Sequence, residues 1–329
     1  MPANTDWFKN AKWGVFCHYL GAPASSDGGA ELTAEAWDEQ VSAFDVAGLA
    51  QQILSTGARY FFITLGQNSG HYCSPNATYD AFVGISPSKC SRRDLVADLH
   101  AALSPHGVKL LVYSPAGAPA ADPVAMEKLG WEWGYEGGWP HAWGTKLTGK
   151  RLAAFQVKWE AIIREWSLRW GDKVCGWWFD GCYFADDMYR FPEPPNFESF
   201  AAAAKAGNPN SLVAFNPGVL TPVVSISRFE DYTAGEIAEA FPACPGRWVD
   251  APPSYPGDEA HPGNTQYHIL SYLGPTWGSG EPRFCDEFVV GYTKDVAAKG
   301  GVVTWDVPIL KSGLIPEAFV RQLSALKEI

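Results

Sequence analysis

The residues best equipped for chemistry in this chain sit at the ends of apolar runs. Val174–Gly181 reads Val-Cys-Gly-Trp-Trp-Phe-Asp-Gly, a stretch with the β-branched and aromatic make-up of a buried strand that closes on one carboxylate, Asp180, and a glycine. A charge at the end of an apolar strand is costly unless something uses it. Asp180, beside Trp177, Trp178 and Phe179, therefore reads as a catalytic carboxylate in an aromatic-walled pocket. An aspartate capping an Asp-Gly turn is the alternative. His18, Gln67, Asn68, Tyr113, Asn216, Glu230, Asp231 and Asp306 hold comparable positions after other apolar runs.

Two carboxylates in an aromatic pocket, without a cofactor signature, point to glycoside hydrolysis. One must attack or stabilise the anomeric carbon and the other must protonate the leaving oxygen. Asp180 suits the first role. Glu236 and Glu230 compete for the second, with Asp306 behind them. A proton donor needs a raised pKa, which depends on surroundings rather than residue type. No phosphate loop, serine nucleophile elbow or paired-histidine metal helix is present. Cys17 with His18, and His71 with Cys73, are weak metal signals, so neither metal nor cofactor is expected. His18 could equally satisfy a core hydrogen bond, and Glu236 could cap a helix. Trp131, Trp133, Trp139 and Trp143 suit either a glycan platform or a packed loop.

Alternating strands and helices must position these groups. Apolar runs predict strands at Lys12–Leu20, Tyr60–Leu65, Lys109–Tyr113, Val174–Asp180, Leu212–Phe215, Ile226–Tyr232 and Gly301–Val307. Helical spacing predicts helices at Val46–Ser55, Arg92–Leu103, Arg151–Trp170, Phe197–Ala206, Phe284–Lys299 and Pro316–Glu328, with Gly57 at a C-cap and Pro316 at a helix start. Gly21–Gly29, Pro115–Lys146 and the Pro/Gly-rich Pro242–Asn264 read as loops or insertions. Continuous apolar strands alternating with helices signal a helix-covered parallel sheet. Seven or eight such units fit an α/β protein with a (β/α)8 TIM-like barrel, its active site at the C-terminal strand ends. A doubly wound sheet would show a glycine-rich loop after its first strand, and Gly14-Val15-Phe16-Cys17-His18 offers none. Without a linker or repeat, residues 1–329 read as a single domain.

Composition agrees. Of 329 residues, 47% are apolar and 19% charged, as a packed globule requires. Fifteen tryptophans suit sugar-stacking faces. A net charge of −11 argues against nucleic-acid or anionic-membrane partners. The seven scattered cysteines include no Cys-x-x-Cys pair and suit a reduced set. No signal peptide or membrane-length run is visible, so a cytoplasmic protein is expected.

The order of these pieces resembles the α-L-fucosidases of glycoside hydrolase family 29, across nearly the whole chain. Trp7-Phe8-Lys9-Asn10-Ala11-Lys12-Trp13-Gly14-Val15-Phe16-Cys17-His18 is similar to the family's Lys-Phe-Gly-(apolar)-Phe-x-His opening, and Gly57-Ala58-Arg59-Tyr60 to its Gly-Ala-Lys-Tyr. Arg92-Arg93-Asp94-Leu95 resembles a helix start. Trp178-Phe179-Asp180-Gly181 resembles the nucleophile strand. Asp231-Tyr232-Thr233-Ala234-Gly235-Glu236 resembles a stretch whose last glutamate is the acid/base in some members. Thr276-Trp277-Gly278, Lys299-Gly300-Gly301-Val302-Val303 and Gly313-Leu314-Ile315-Pro316-Glu317 match late segments.

The resemblance implies a retaining exo-α-glycosidase with Asp180 as nucleophile and Glu236 as general acid/base. By that resemblance His18 would bind the sugar beside Trp178, with Glu35 and Trp37 near the substrate; Gln67, Asn68, His71, Tyr113, Asn216, Trp277 and Asp306 complete the candidate substrate-binding set. The sugar-reading residues depart from the family. Its Lys-His-His-Asp-Gly-Phe is here Gly66-Gln67-Asn68-Ser69-Gly70-His71, its Asn-Asp-Arg is Phe215-Asn216-Pro217, and its Leu-Asn-Val-Gly-Pro is Trp305-Asp306-Val307-Pro308. A site built for one hydroxyl pattern rejects another, so the expected substrate is a glycoside or oligosaccharide ending in α-L-fucose or a related sugar. No C-terminal β-sandwich is evident. A carbohydrate-binding pseudoenzyme on the same barrel is the alternative, and a metal-dependent barrel hydrolase is a third reading.

Overall fold

The computed structural model describes residues 3–21, 32–134 and 148–329. Its strands, in chain order, are β1 Trp13–Cys17, β2 Tyr60–Thr64, β3 Lys109–Pro115, β4 Val174–Asp180, β5 Leu212–Phe215, β6 Trp248–Ala251, β7 His261–Gln266, β8 His268–Tyr272 and β9 Val302–Asp306. Seven form one parallel sheet in the order β5-β4-β3-β2-β1-β9-β8, while β6 and β7 pair antiparallel apart from it. The fold is α/β, a half-barrel of parallel strands flanked by helices.

The continuous apolar runs form strands buried on both faces. β1, β2, β8 and β9 are buried at every position. Side chains alternate across the sheet. Trp178 joins an inner cluster with Phe16, Phe62, Tyr113 and Leu270. Its neighbours Trp177 and Phe179 face outward, against Trp170 and Phe200 on the covering helices. The helix Val46–Thr56 starts where Asp45 accepts the Gly48 N–H, and stops at Gly57, whose φ of 84° favours glycine. Asp94 likewise caps Leu95–Leu103, and Ala153–Trp170 buries Phe155, Trp159 and Trp166.

Register levels the strand ends that carry the site. Tyr113 pairs with Trp178 and Pro115 with Asp180, while Phe16 and Tyr272 both lie opposite Asp306.

The sheet departs from the expected closed eight-stranded barrel. No regular strand forms over Ile226–Tyr232. Instead segment 231–237 bridges the sheet's edges, β5 and β8. The Asp231 N–H donates to the Val213 carbonyl at 2.8 Å, and the Leu270 N–H donates to the Gly235 carbonyl at 2.9 Å. Two carboxylates replace ladder carbonyls on the β5 side. The Val213 N–H donates to Asp231 Oδ2 and the Phe215 N–H to Glu230 Oε1, each at 2.8 Å. Gly235, at φ 66°, then breaks the extended path. The predicted insertion at 242–264 contains β6 and the start of β7, and β8 was not anticipated. No helix among the described residues is long and apolar enough to cross a membrane. Trp139, Trp143, most of the Gly21–Gly29 loop and part of Pro115–Lys146 lie outside the described residues.

Candidate active site

Asp180 closes β4 and Asn216 directly follows β5, so adjacent strands bring them together. Asn216 is fully buried. Its Nδ2 donates to Asp180 Oδ1 at 2.8 Å and to Glu236 Oε2 at 2.7 Å. The Tyr113 hydroxyl donates to Asp180 Oδ2 at 2.6 Å and itself accepts from the Gln67 amide at 2.7 Å. Tyr183 donates to Asp180 Oδ1 at 3.3 Å. Glu236 comes from the bridging segment, and glycine before it is a steric requirement: a Cβ on Gly235 would lie 1.9 Å from the His268 carbonyl oxygen. The Trp178 indole N–H, donating to the Ala234 carbonyl at 2.9 Å, anchors the same segment.

Of these, Gln67, Tyr113, Trp178, Asp180, Tyr183 and Glu236 border a cavity of about 330 Å³. Burial, and then the Asp180 charge, hold the Glu236 carboxyl well above the usual carboxylate range against the Asn216 bond. Burial, then Asp180, also raises the Tyr113 phenol, which stays a hydrogen-bond donor.

The other wall comes from β1 and β9. His18 Nδ1 lies 2.8 Å from Asp306 Oδ1, and the Gly278 N–H donates to Asp306 Oδ2 at 2.6 Å. With the carboxylate as acceptor, Nδ1 carries the proton and Nε2 is left for the cavity. Burial raises Asp306, and the His18 and Gly278 contacts pull it back. Trp277 packs 5.7 Å from the His18 ring and 4.8 Å from Tyr272.

Eight of the sequence candidates line one cavity: His18, Gln67, Asn68, Tyr113, Trp178, Asp180, Glu236 and Trp277. Asn216 and Asp306 are fully buried and are not part of its lining; they hold Asp180, Glu236 and His18. Trp37 and His71 are placed elsewhere. Trp37 is fully buried and donates its indole N–H to the Tyr72 carbonyl, packed against Tyr19 and His71. Glu35 is exposed on the same helix. His71 is 3% exposed, and burial lowers its pKa to about 4.

Glu230, the other acid/base candidate, does not line the cavity. Its oxygens accept from the backbone N–H groups of Phe215, Ile226 and Ser227 and from the Ser225 hydroxyl, away from the cavity. Tyr183 and Leu270 line the cavity without having been singled out, and Trp131 and Trp133, read from the sequence as a glycan platform or a packed loop, line it too. Tyr183 had only its nearness to Asp180 to mark it, and Leu270 lies on the unanticipated β8. Among the described residues, no group of three His, Cys, Asp or Glu side chains is placed to hold a metal.

No protein-family model matches the sequence, and no curated protein sequence does. Solved structures do match. The endo-fucoidan hydrolase MfFcnA4 of glycoside hydrolase family 107 superposes with a TM-score of 0.69 at 17% identity, over 98% of this chain and 53% of that one. The endo-fucoidan hydrolase P5AFcnA of the same family gives 0.63 at 15% identity, over 97% and 92%. The α-L-fucosidase AlfC from Lactobacillus casei, in complex with α-L-fucose, gives 0.62 at 17% identity, over 99% and 98%. The chain thus spans about half the length of MfFcnA4 and nearly all of AlfC. At these identities the likeness establishes a shared fold alone, a TIM-barrel-like one.

Proposed function

We propose that residues 1–329 act as one catalytic domain, a retaining exo-α-glycosidase that releases a terminal α-L-fucosyl or related sugar from a glycoside or oligosaccharide. The observation that carries this reading is the single amide nitrogen shared by Asp180 and Glu236. Bonds of 2.8 and 2.7 Å to that nitrogen hold the two bonded oxygens no more than about 5.5 Å apart. Retaining glycosidases separate their carboxyl groups by about 5–5.5 Å, whereas inverting ones need about 6.5–9.5 Å for a water.

In the first step the Asp180 carboxylate bonds to the anomeric carbon. The bond to the leaving oxygen breaks, and that oxygen takes the Glu236 proton. In the second, water attacks the anomeric carbon, Glu236 takes its proton, and Asp180 leaves. The raised pKa of Glu236 suits a group that must begin as an acid. Trp178 and Trp277 offer apolar faces to the sugar ring, and His18, Gln67 and Asn68 offer polar groups to its hydroxyls. The fold shared with AlfC and the endo-fucoidan hydrolases supports a fucose-type substrate.

The test is turnover on a panel of aryl α- and β-glycosides including the α-L-fucoside, with the first-formed anomer read by proton NMR and Asp180→Asn run alongside. Cleavage with retention and a dead variant are expected. An inverted first product would overturn the mechanism. Sugar binding without turnover would move the protein to a carbohydrate-binding role.

A further inference from the structure

Asn216 is held on every side. Its backbone N–H donates to the Phe179 carbonyl at 2.8 Å, and its carbonyl accepts from the Cys182 N–H at 2.9 Å, locking it to the end of β4. Its amide has one available orientation. Oδ1 accepts from the Gly218 N–H at 3.1 Å, a role only the oxygen can fill, so the NH2 must face the acids. That group has two hydrogens and no acceptor capacity. One goes to Asp180 Oδ1 and the other to Glu236 Oε2.

We propose, building on the retaining mechanism above, that Asn216 is a positioning residue that dictates which oxygen of Glu236 carries the acid proton. A proton on Oε2 would point at an NH2 group that cannot accept it. The proton therefore sits on Oε1, the oxygen that meets no hydrogen-bond partner among the described residues, on a side chain that lines the cavity. During glycosylation the O–H bond at Oε1 breaks. The leaving oxygen gains that proton together with the electron pair of the broken glycosidic bond, and Asp180 forms the new bond to carbon. Without the amide, either oxygen can hold the proton, and the carboxyl group loses the bond that fixes its orientation toward the leaving oxygen.

Neutron diffraction from crystals of the unaltered protein, at a pH where Glu236 is protonated, reads the proton directly. A deuteron on Oε1 is the expected result, and one on Oε2 overturns the proposal. Kinetics test the consequence with Asn216→Ala and the near-isosteric Asn216→Asp, on aryl glycosides that the unaltered enzyme cleaves. A phenyl leaving group, which needs the proton, should lose on the order of 100-fold in kcat/KM, and a 2,4-dinitrophenyl leaving group less than about tenfold. Equal losses on both would make Asn216 a packing residue and overturn the proposal. If the unaltered protein cleaves no glycoside, the proposed function falls, while the neutron map still decides where the proton sits. A variant that fails to fold leaves that map unaffected.

Discussion

Glu230 and Asp231 stand within a few residues of Glu236, and all three acids belong to the stretch that joins β5 to β8, yet they do opposite work. Glu230 and Asp231 take backbone donors: Phe215, Ile226 and Ser227 N–H groups on the first, Val213 and Ala3 N–H groups on the second, with Lys205 Nζ 2.7 Å from Asp231. Both are about 1% exposed. The carboxyl groups of Asp180 and Glu236 take side-chain donors alone, and both border the cavity. One pair substitutes for the missing strand of the barrel; the other faces the cavity. What separates a structural acid from a reactive one here is the donor set around it. Backbone N–H groups saturate a carboxylate and fix the chain, whereas hydroxyl and amide side chains orient one at the edge of a cavity.

The sharpest way to break this contrast is to neutralise each acid in turn. Asp180→Asn should cut turnover by roughly ten-thousandfold or more, because the proposed mechanism assigns the covalent intermediate to this carboxylate. Its melting temperature should stay close to that of the unaltered protein. Substantial residual turnover would remove Asp180 from the chemistry. Glu236→Gln follows, with a loss of about 100- to 10,000-fold on substrates with poor leaving groups. Azide, small enough to attack the glycosyl-enzyme without base assistance, should restore turnover of activated aryl glycosides by Glu236→Gly. No rescue, with a normally folded variant, would point to a different acid/base.

The seam acids should answer in the other currency. Asp231→Asn loses the ion pair with Lys205, and Glu230→Gln replaces a saturated acceptor by a group whose NH2 meets other donors. Each should cost roughly 2–4 kcal/mol, seen as a lower urea midpoint at unchanged slope. The folded fraction should keep kcat within a few-fold. If Glu230→Gln instead abolished turnover at full stability, the division between the two pairs would be wrong.

The same division explains what could be read before the fold was known. Asp180 was legible because β4 is a continuous apolar run, so an acid at its end has to be explained. Tyr60–Thr64, Val174–Asp180 and Leu212–Phe215 were legible for the same reason. Segment 231–237 was not, because Glu230 and Asp231 replace backbone partners with side chains, a substitution that leaves no periodic trace. β8 was hidden by polar residues the fold satisfies internally: His268 Nε2 lies 2.7 Å from Thr304 Oγ1 and Nδ1 lies 2.9 Å from the Thr233 carbonyl. Trp37 misled in the opposite direction. An indole beside a glutamate suits a sugar site as well as a core position, and its full burial and the Tyr72 carbonyl that takes its N–H place it in the core.

The finest test of the contrast is a titration. Glu236 is raised first by burial and then by the Asp180 charge. In Asp180→Asn the second cause disappears, so the Glu236 carboxyl, followed by carbon-13 NMR, should titrate lower than in the unaltered protein. It should still titrate above the ordinary carboxylate range, because burial remains. The stability consequence has a definite sign. Between the ordinary carboxylate value and the raised one, the folded chain binds more protons at Glu236 than the unfolded chain does. The stabilisation from that protonation is therefore present below the window and lost as pH rises through it. Asp180→Asn should narrow the window from its upper edge and flatten the fall in stability toward alkaline pH. An unchanged Glu236 titration would mean that the two acids do not sense each other, and the shared Asn216 nitrogen would then be a structural bond like those of the seam.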